Sequence, residues 1–493
     1  LADTARQFSV CPFELGLDLS EWCDVVIGDY NYLFDPVVHL KRFFDAAGDW
    51  LFLIDEAHNL PDRARAMYSA QFAKSSLTEA KRALGKGKSS LKTALTKADK
   101  VFLAARKACA QAAPRTGAEP AGETEPAQIS LLPAEAAPNF ALPQPLYARD
   151  GTVFLQQLPA ALPAALRAVH TPLQDWLEQN PEDPAHAQLL ELYFALQDIA
   201  RAADRYDSHF VTQLTARGSD LELQLLCLDP SPFVDASLSA GRAAALFSAT
   251  LTPPGYYRTV LGCPEARAVA LESPFPAENL GLYCLPSIST RYRQRDASIR
   301  PISDALAALA SSRVGNYLAF FPSYAYLRQV WEDFTARYPD QPTLCQESAM
   351  DEGKRAEFLA QFQKSDGRPL LGFAVLGGVF GEGVDLTGES LIGAAIVSPG
   401  LPQVGPRQEQ LRDYFEQTRG SGFDYAYRFP GMNKVLQAAG RVIRTPEDRG
   451  VVLLIDDRFL APDTRRLMPP HWEQLKTVDS AQALTAELAA FWK

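Results

Sequence analysis

The sequence predicts an α/β protein of two parallel-sheet lobes, the first interrupted by a mainly helical insertion, and three observations lead to it. Residues 51–54 are a wholly apolar run, Leu-Phe-Leu-Ile, that ends in Asp55-Glu56-Ala57-His58. A buried strand that delivers carboxylates at its C-terminal end is what an open α/β sheet uses at a ligand crevice. From about residue 316 onward, strand and helix patterns alternate, as in a parallel sheet with crossover helices. Between Asp55 and Ser248 lie nearly two hundred residues of largely helical pattern, set between two apolar strand signals.

Taken in order, residues 1–60 supply a strand over Asp24–Gly28, a helix near 36–46 and the strand ending at Asp55. They form the C-terminal part of the first lobe. The insertion spans 61–230. Its residues 61–107 read as helices rich in Ala, Leu and Lys. Residues 108–146 are dense in Ala, Pro and Glu and too poor in apolar surface to order themselves, so they read as a loop or tether. Helical pattern resumes from about 153 to 216, and LELQLLCL at 221–228 looks extended. Residues 231–275 return to the first lobe through AALFSATL at 244–251, an apolar run ending in Ser248-Ala249-Thr250. The second lobe occupies 276–493, with strands at 316–321, 369–376, 391–398 and 450–456. Helices fall between them at about 323–337, 352–364, 405–418 and 431–444. No internal repeat is visible.

The chemistry concentrates at the ends of these strands. Asp55 suits a Mg²⁺ ion and Glu56 an attacking water; the plainer reading is a polar turn after a strand. Gln437, Arg441 and Arg444 recur at spacings of four and three, which on one helix puts them on one face. Two arginines on one face suit a γ-phosphate, because guanidinium stays charged and pairs with phosphate oxygens. A solvated basic face is the alternative; Gly440, read as mid-helix, argues for close packing instead. Residues 369–388 carry a strand into a glycine-rich loop with Glu382, Gly383 and Asp385.

Net charge is −11 and the pI about 5.2, which counts against a generic nucleic-acid coat. Two local basic clusters stand out. Residues 74–100 hold eight Lys or Arg, Lys81 and Arg82 among them, against Glu79 and Asp99. Arg291, Arg293, Arg295 and Arg300 interleave with Tyr292. Each reads either as a contact for a single-stranded phosphate backbone or as a solvated surface. No apolar run reaches the ~18 residues of a membrane span, no secretory signal is visible, and seven scattered cysteines show no disulfide spacing. The expectation is a cytoplasmic protein.

The ordered set of strand–DEAH, strand–SAT, strand–GEGVD and helix–QAAGRVIR resembles motifs II, III, V and VI of superfamily 2 helicases. Asn59-Leu60 after DEAH, and GRVIRT rather than GRAGR in the last motif, are similar to the XPD/DinG family of DNA helicases. The resemblance runs from Cys11 to about residue 470. It implies two RecA-like lobes with an Arch-type insertion, ATP and Mg²⁺ as cofactors, and single-stranded DNA and DNA forks as partners. It implies an ATP-dependent helicase moving 5′ to 3′ in DNA repair or replication-associated unwinding. Asp55 would hold Mg²⁺ and Glu56 would orient water. His58, Ser248 and Thr250 would couple nucleotide to DNA, with Gly383 and Asp385 near both. Gln437, Arg441 and Arg444 would reach the γ-phosphate. Phe320, Phe321, Ser323 and Tyr324 resemble motif IV, which makes Tyr324 a DNA contact. Cys11-Pro12-Phe13 resembles the last cysteine of the family's iron–sulfur domain, so Cys11 would be one ligand of a 4Fe-4S cluster; a lone buried cysteine is the other reading. No GxxxxGK[ST] phosphate loop occurs in these residues. The expectation is a fragment that needs that loop from upstream to hydrolyse ATP. A DNA-stimulated ATPase without strand separation, and a non-hydrolysing nucleic-acid-binding pseudo-ATPase, remain open.

Overall fold

A computed structural model describes residues 1–87, 89–112, 140–363, 367–378, 380 and 390–493. Its strands form three sheets. In the first lobe, β1 (Leu51–Ile54) begins the pairing. The insertion contributes β2 (Ala70–Ala73), β3 (Tyr147–Arg149), β4 (Thr152–Leu155), β5 (Phe210–Arg217) and β6 (Asp220–Cys227). The chain then returns through β7 (Ala243–Leu246), which pairs parallel with β1, Leu51 opposite Ala243 and Ile54 opposite Leu246. This pairing, across almost the whole insertion, brings the DEAH and SAT segments side by side.

The second lobe is a seven-stranded, wholly parallel sheet. Its strands are β8 (Leu280–Leu285), β9 (Asn316–Phe321), β10 (Thr343–Cys345), β11 (Leu370–Val375), β12 (Gly393–Val397), β13 (Gly450–Ile455) and β14 (Lys476–Thr477). They lie in the order β10-β11-β9-β12-β13-β8-β14. β9, β12 and β13 are buried along their whole length, as parallel strands covered on both faces must be. Successive side chains feed two cores: Phe320 and Ile396 on one face, Phe321 and Val397 on the other. Because every strand is parallel, all their carboxyl ends lie on one edge, the edge where such sheets hold ligands.

The insertion differs from the helical expectation. Its helices Lys74–Ala83, Ser90–Gln111, Ala161–Gln179 and His186–Asp204 pack on a five-stranded antiparallel sheet, β2-β6-β5-β4-β3. Residues 152–155 and 210–217, read as helical, are strands. FVTQLTAR carries three β-branched residues, and pairing with β4 and β6 buries them. The 221–228 segment is extended, as β6. Of the predicted tether 108–146, residues 113–139 lie outside the described residues.

Four further expectations are corrected. Residues 24–28 form no strand; Val25, Val26 and Ile27 stand exposed, Ile27 at 95%. A strand needs a hydrogen-bonded neighbour, and the sheet beside it has two strands among the described residues. The 36–46 helix shortens to Lys41–Phe44, with Phe43 and Phe44 edge-on to Trp50. β1 forms, but only Ile54 is buried; Leu53 is 74% exposed. The second-lobe helix Phe429–Ala439 stops where Gly440 caps it, its N–H bonded to the Leu436 carbonyl at 2.9 Å. Gly440 is therefore a helix end, and Arg441 and Arg444 lie beyond the helix instead of sharing its face. No described helix is long and apolar enough to cross a membrane.

Candidate active site at the lobe interface

β1 ends in a turn with an uncommon conformation. Glu56 has φ 47°, the left-handed region, which costs a side-chain-bearing residue roughly 1–2 kcal/mol. It starts the single helical turn Ala57–Asn59 and the helix Leu60–Tyr68 that follows. Ala57 N–H donates to the Phe247 carbonyl at 3.1 Å, tying the turn to the end of β7. Asp55 and Glu56 remain solvent-facing while His58 is buried. The two predicted carboxylates thus sit at a strand's carboxyl end with open space before them.

The buried histidine joins both lobes. Its Nδ1 is 2.6 Å from Ser248 Oγ and 3.2 Å from Glu56 Oε2. Ser248 Oγ donates to Glu56 Oε2 at 3.2 Å and accepts from the Thr250 N–H at 3.2 Å. On the other side of the ring, Nε2 meets the Gln437 side-chain amide of the second lobe. A serine hydroxyl has one hydrogen. If it goes to Glu56, the histidine must donate from Nδ1 and accept at Nε2, so the amide of Gln437 donates. Four groups then form one directed chain, Gln437 to His58 to Ser248 to Glu56, with each donor and acceptor used consistently. The tautomer follows from this network.

The arginine loop after Gly440 is shaped by Asp448, whose Oδ2 accepts the N–H groups of Arg444 and Thr445 at 2.7 Å each. Asp448 had no signal beyond a Pro-Glu-Asp turn. Gly383 and Asp385 lie outside the described residues. Of the motif IV resemblance, Phe320 and Phe321 are core residues with no exposed surface, and Ser323 caps the helix Tyr324–Arg337, accepting from Tyr326 N–H at 3.4 Å. Tyr324 alone is exposed, and its hydroxyl accepts from Gln346 at 3.1 Å.

The basic clusters separate. Lys81 and Lys74 both pair with Asp99, at 2.5 and 2.9 Å, so their charge serves the insertion's own helices; Arg82 is exposed. Arg291 chelates Asp457 at 2.6 and 2.8 Å. Arg293 is exposed beside Tyr292, which is 84% exposed under the Arg295 guanidinium at 5.6 Å. This trio follows β8 and Tyr324 follows β9, on one edge of the sheet but separated by β12 and β13. Lys81 and Arg82 lie in a different body of the molecule, the insertion.

The donor set at β1 fits Mg²⁺. Asp55 uses Oδ1 for the Glu56 N–H at 2.7 Å, and its other oxygen is available to a hydrated ion, which needs only one or two carboxylates besides substrate phosphates. Cys11, expected as one ligand of an iron–sulfur cluster, is exposed at the head of the helix Pro12–Ser20 and not a buried core cysteine.

Comparison with known proteins bears on this geometry. A family model described as DEAD_2 matches residues 1–77, and one described as Helicase C-terminal domain matches 306–475. The XPD helicase subunit of the general transcription and DNA repair factor IIH from Schizosaccharomyces pombe is 23% identical over 97% of this chain and 68% of that protein. The ATP-dependent DNA helicase YoaA of Escherichia coli is 28% identical over 42% of this chain, a match that spans 31% of YoaA. The solved structure of S. tokodaii Xpd4 superposes with a TM-score of 0.57 at 14% identity, covering 91% of this chain and 81% of that one. The shared fold includes the parallel sheets described above.

Proposed function

We propose, from the premise that this chain belongs to the XPD/DinG-like family of superfamily 2 helicases, that it forms the motor of an ATP-dependent DNA helicase. The observation that carries the reading is the hydrogen-bonded chain from Gln437 in one lobe to Glu56 in the other. Nucleotide sits between the lobes. Glu56 orients the attacking water and takes its proton, and Asp55 faces the water shell of Mg²⁺. That ion, when bound, neutralises charge developing on the phosphates. Arg441 and Arg444 approach the γ-phosphate from the second lobe. Closure of the lobes presses Gln437 on His58 and, through Ser248, fixes the Glu56 carboxylate. Hydrolysis releases that constraint. Repeated closure with a grip on single-stranded DNA is translocation, proposed to run 5′ to 3′ on forks met in repair or replication. A phosphate loop is required for this chemistry, so the proposal concerns protein carrying one together with these residues.

The test is ATP turnover with and without single-stranded DNA. Glu56→Gln is expected to abolish turnover while ATP still binds. Arg444→Ala is expected to lose about 10³ in rate, the lower end for an arginine finger, with DNA binding retained. Normal hydrolysis by Glu56→Gln would overturn the assignment of the base. Stimulation by DNA without strand separation would reduce the reading to a translocating ATPase.

A further inference from the structure

The geometry points to Tyr30 as the residue that positions the Asp55–Glu56 peptide, and with it the angle between the two carboxylates. This rests on the motor reading above and names a residue that no motif there contains. The peptide group linking Asp55 to Glu56 is gripped at both ends. Its carbonyl, on Asp55, accepts from the Tyr30 hydroxyl. Its N–H, on Glu56, donates to Asp55 Oδ1 at 2.7 Å. Together the two bonds fix the peptide plane, and the plane sets the left-handed φ of 47° from which the Glu56 side chain departs.

The two grips are not equivalent. The N–H grip uses the carboxylate that must also face a hydrated cation, so it weakens when Asp55 turns outward. The carbonyl grip does not depend on that carboxylate. The Tyr30 ring is itself held on two sides. The Arg63 guanidinium lies over its ring at 5.3 Å, and Arg63 reaches back to Asp29 at 3.7 Å. Phe34, buried in the first-lobe core, meets the ring edge at 6.3 Å. Arg63 belongs to the helix that follows DEAH. Tyr30 therefore joins the segment before β1, the carboxylate turn and the helix after it. Burial, with Glu56 and Asp55 nearby, pushes the phenol up to about 12 against the opposing pull of Arg63, so it stays a donor at any working pH.

Tyr30→Phe removes only the hydroxyl and keeps the ring under Arg63. In protein bearing a phosphate loop with these residues, we expect kcat to fall about 3- to 10-fold, the worth of one hydrogen bond. KM for ATP should stay within about twofold, and half-saturating Mg²⁺ should rise. A crystal structure of the same variant should show Glu56 out of the left-handed region in at least part of the molecules. Unchanged kcat with Glu56 still at positive φ overturns the proposal. So does a parallel loss of kcat, ATP affinity and thermal midpoint, which marks a merely structural residue. Glu56→Gln, run alongside, separates the two readings. If it turns over normally the motor assignment fails, while the φ of Glu56 in the Tyr30→Phe structure still decides the clamp.

Discussion

At the scale of single residues, Asp456 shows how the carboxyl edge of the second sheet is held. It is fully buried after β13, yet hydrogen-bond donors from Thr290 and Arg458 surround it. Thr290 donates from its N–H at 2.9 Å and from its hydroxyl, and Arg458 donates from Nε at 2.6 Å and Nη2 at 3.0 Å. Arg458 also reaches Ser398, at 3.4 Å, where β12 ends with φ 83°. Burial alone would raise this carboxyl; the bonds from Arg458 and Thr290 outweigh it and hold it below the ordinary value. A group whose folded pKa is depressed contributes stability above its unfolded pKa and loses it as pH falls through the folded one. The Asp456 contribution is therefore complete at neutral pH and disappears in acid below about pH 4. Asp456→Asn points an amide donor at donors and should cost about 2–4 kcal/mol in urea unfolding at pH 7. Its stability should also fall less steeply in acid than the wild type's. Equal stability at neutral pH would show that Arg458 and Thr290 find other partners.

At the scale of elements, two glycines decide where the Gln437 helix sits. A Cβ on Gly431 would lie 2.8 Å from the Pro399 carbonyl oxygen, and one on Gly400, at φ 68°, would lie 2.7 Å from the Gly431 oxygen. Backbone meets backbone here, so no flexible side chain can yield. The helix Phe429–Ala439 thus rests directly on the loop after β12, with Gln437 two turns further on. Gly431→Ala should destabilise by about 1–3 kcal/mol through overpacking and move Gln437 off His58. DNA-stimulated turnover should then fall more than the thermal midpoint predicts. A variant that melts and turns over like the wild type would mean that the helix can shift without breaking the contact. Both glycines follow a proline in the sequence, a pattern that reads only as a turn. The close approach needs the fold.

At the scale of the whole molecule, the helix Pro406–Arg419 joins all three bodies. Arg407 reaches Gln213 at 3.1 Å and also Gln224, both on the insertion's sheet, and the Tyr414 hydroxyl donates to Asp229 at 3.2 Å. One residue on, Phe415 is buried in the first-lobe core with Tyr256 and Leu60. A second-lobe helix therefore holds the insertion against the first lobe. Removing Arg407 and the Tyr414 hydroxyl together should speed hydrogen exchange in β5 and β6 while leaving β9 and β12 unchanged. Exchange rising equally in both sheets would argue for global destabilisation instead.

Continuous apolar runs made the four main second-lobe strands legible, because parallel strands covered on both faces leave that trace in one dimension; the apolar run before DEAH also forms a strand, although only Ile54 of it is buried. The residue types at their ends marked the candidate site: paired carboxylates, a serine and threonine, arginines after a glutamine. The tertiary structure alone decided the rest. It ended the Gln437 helix at Gly440, so the arginines come from a loop folded by Asp448 and not from a shared face. It split the basic clusters by pairing Lys81 with Asp99 and Arg291 with Asp457. It brought Gln437 to His58 across 379 positions, and Tyr30 to the carbonyl of Asp55. Local pattern sets what a segment tends to do with its own backbone, and pairing with distant strands overrides it, as at 210–217. A hydrogen bond between distant side chains depends on how whole elements are packed, and no spacing in the chain encodes it.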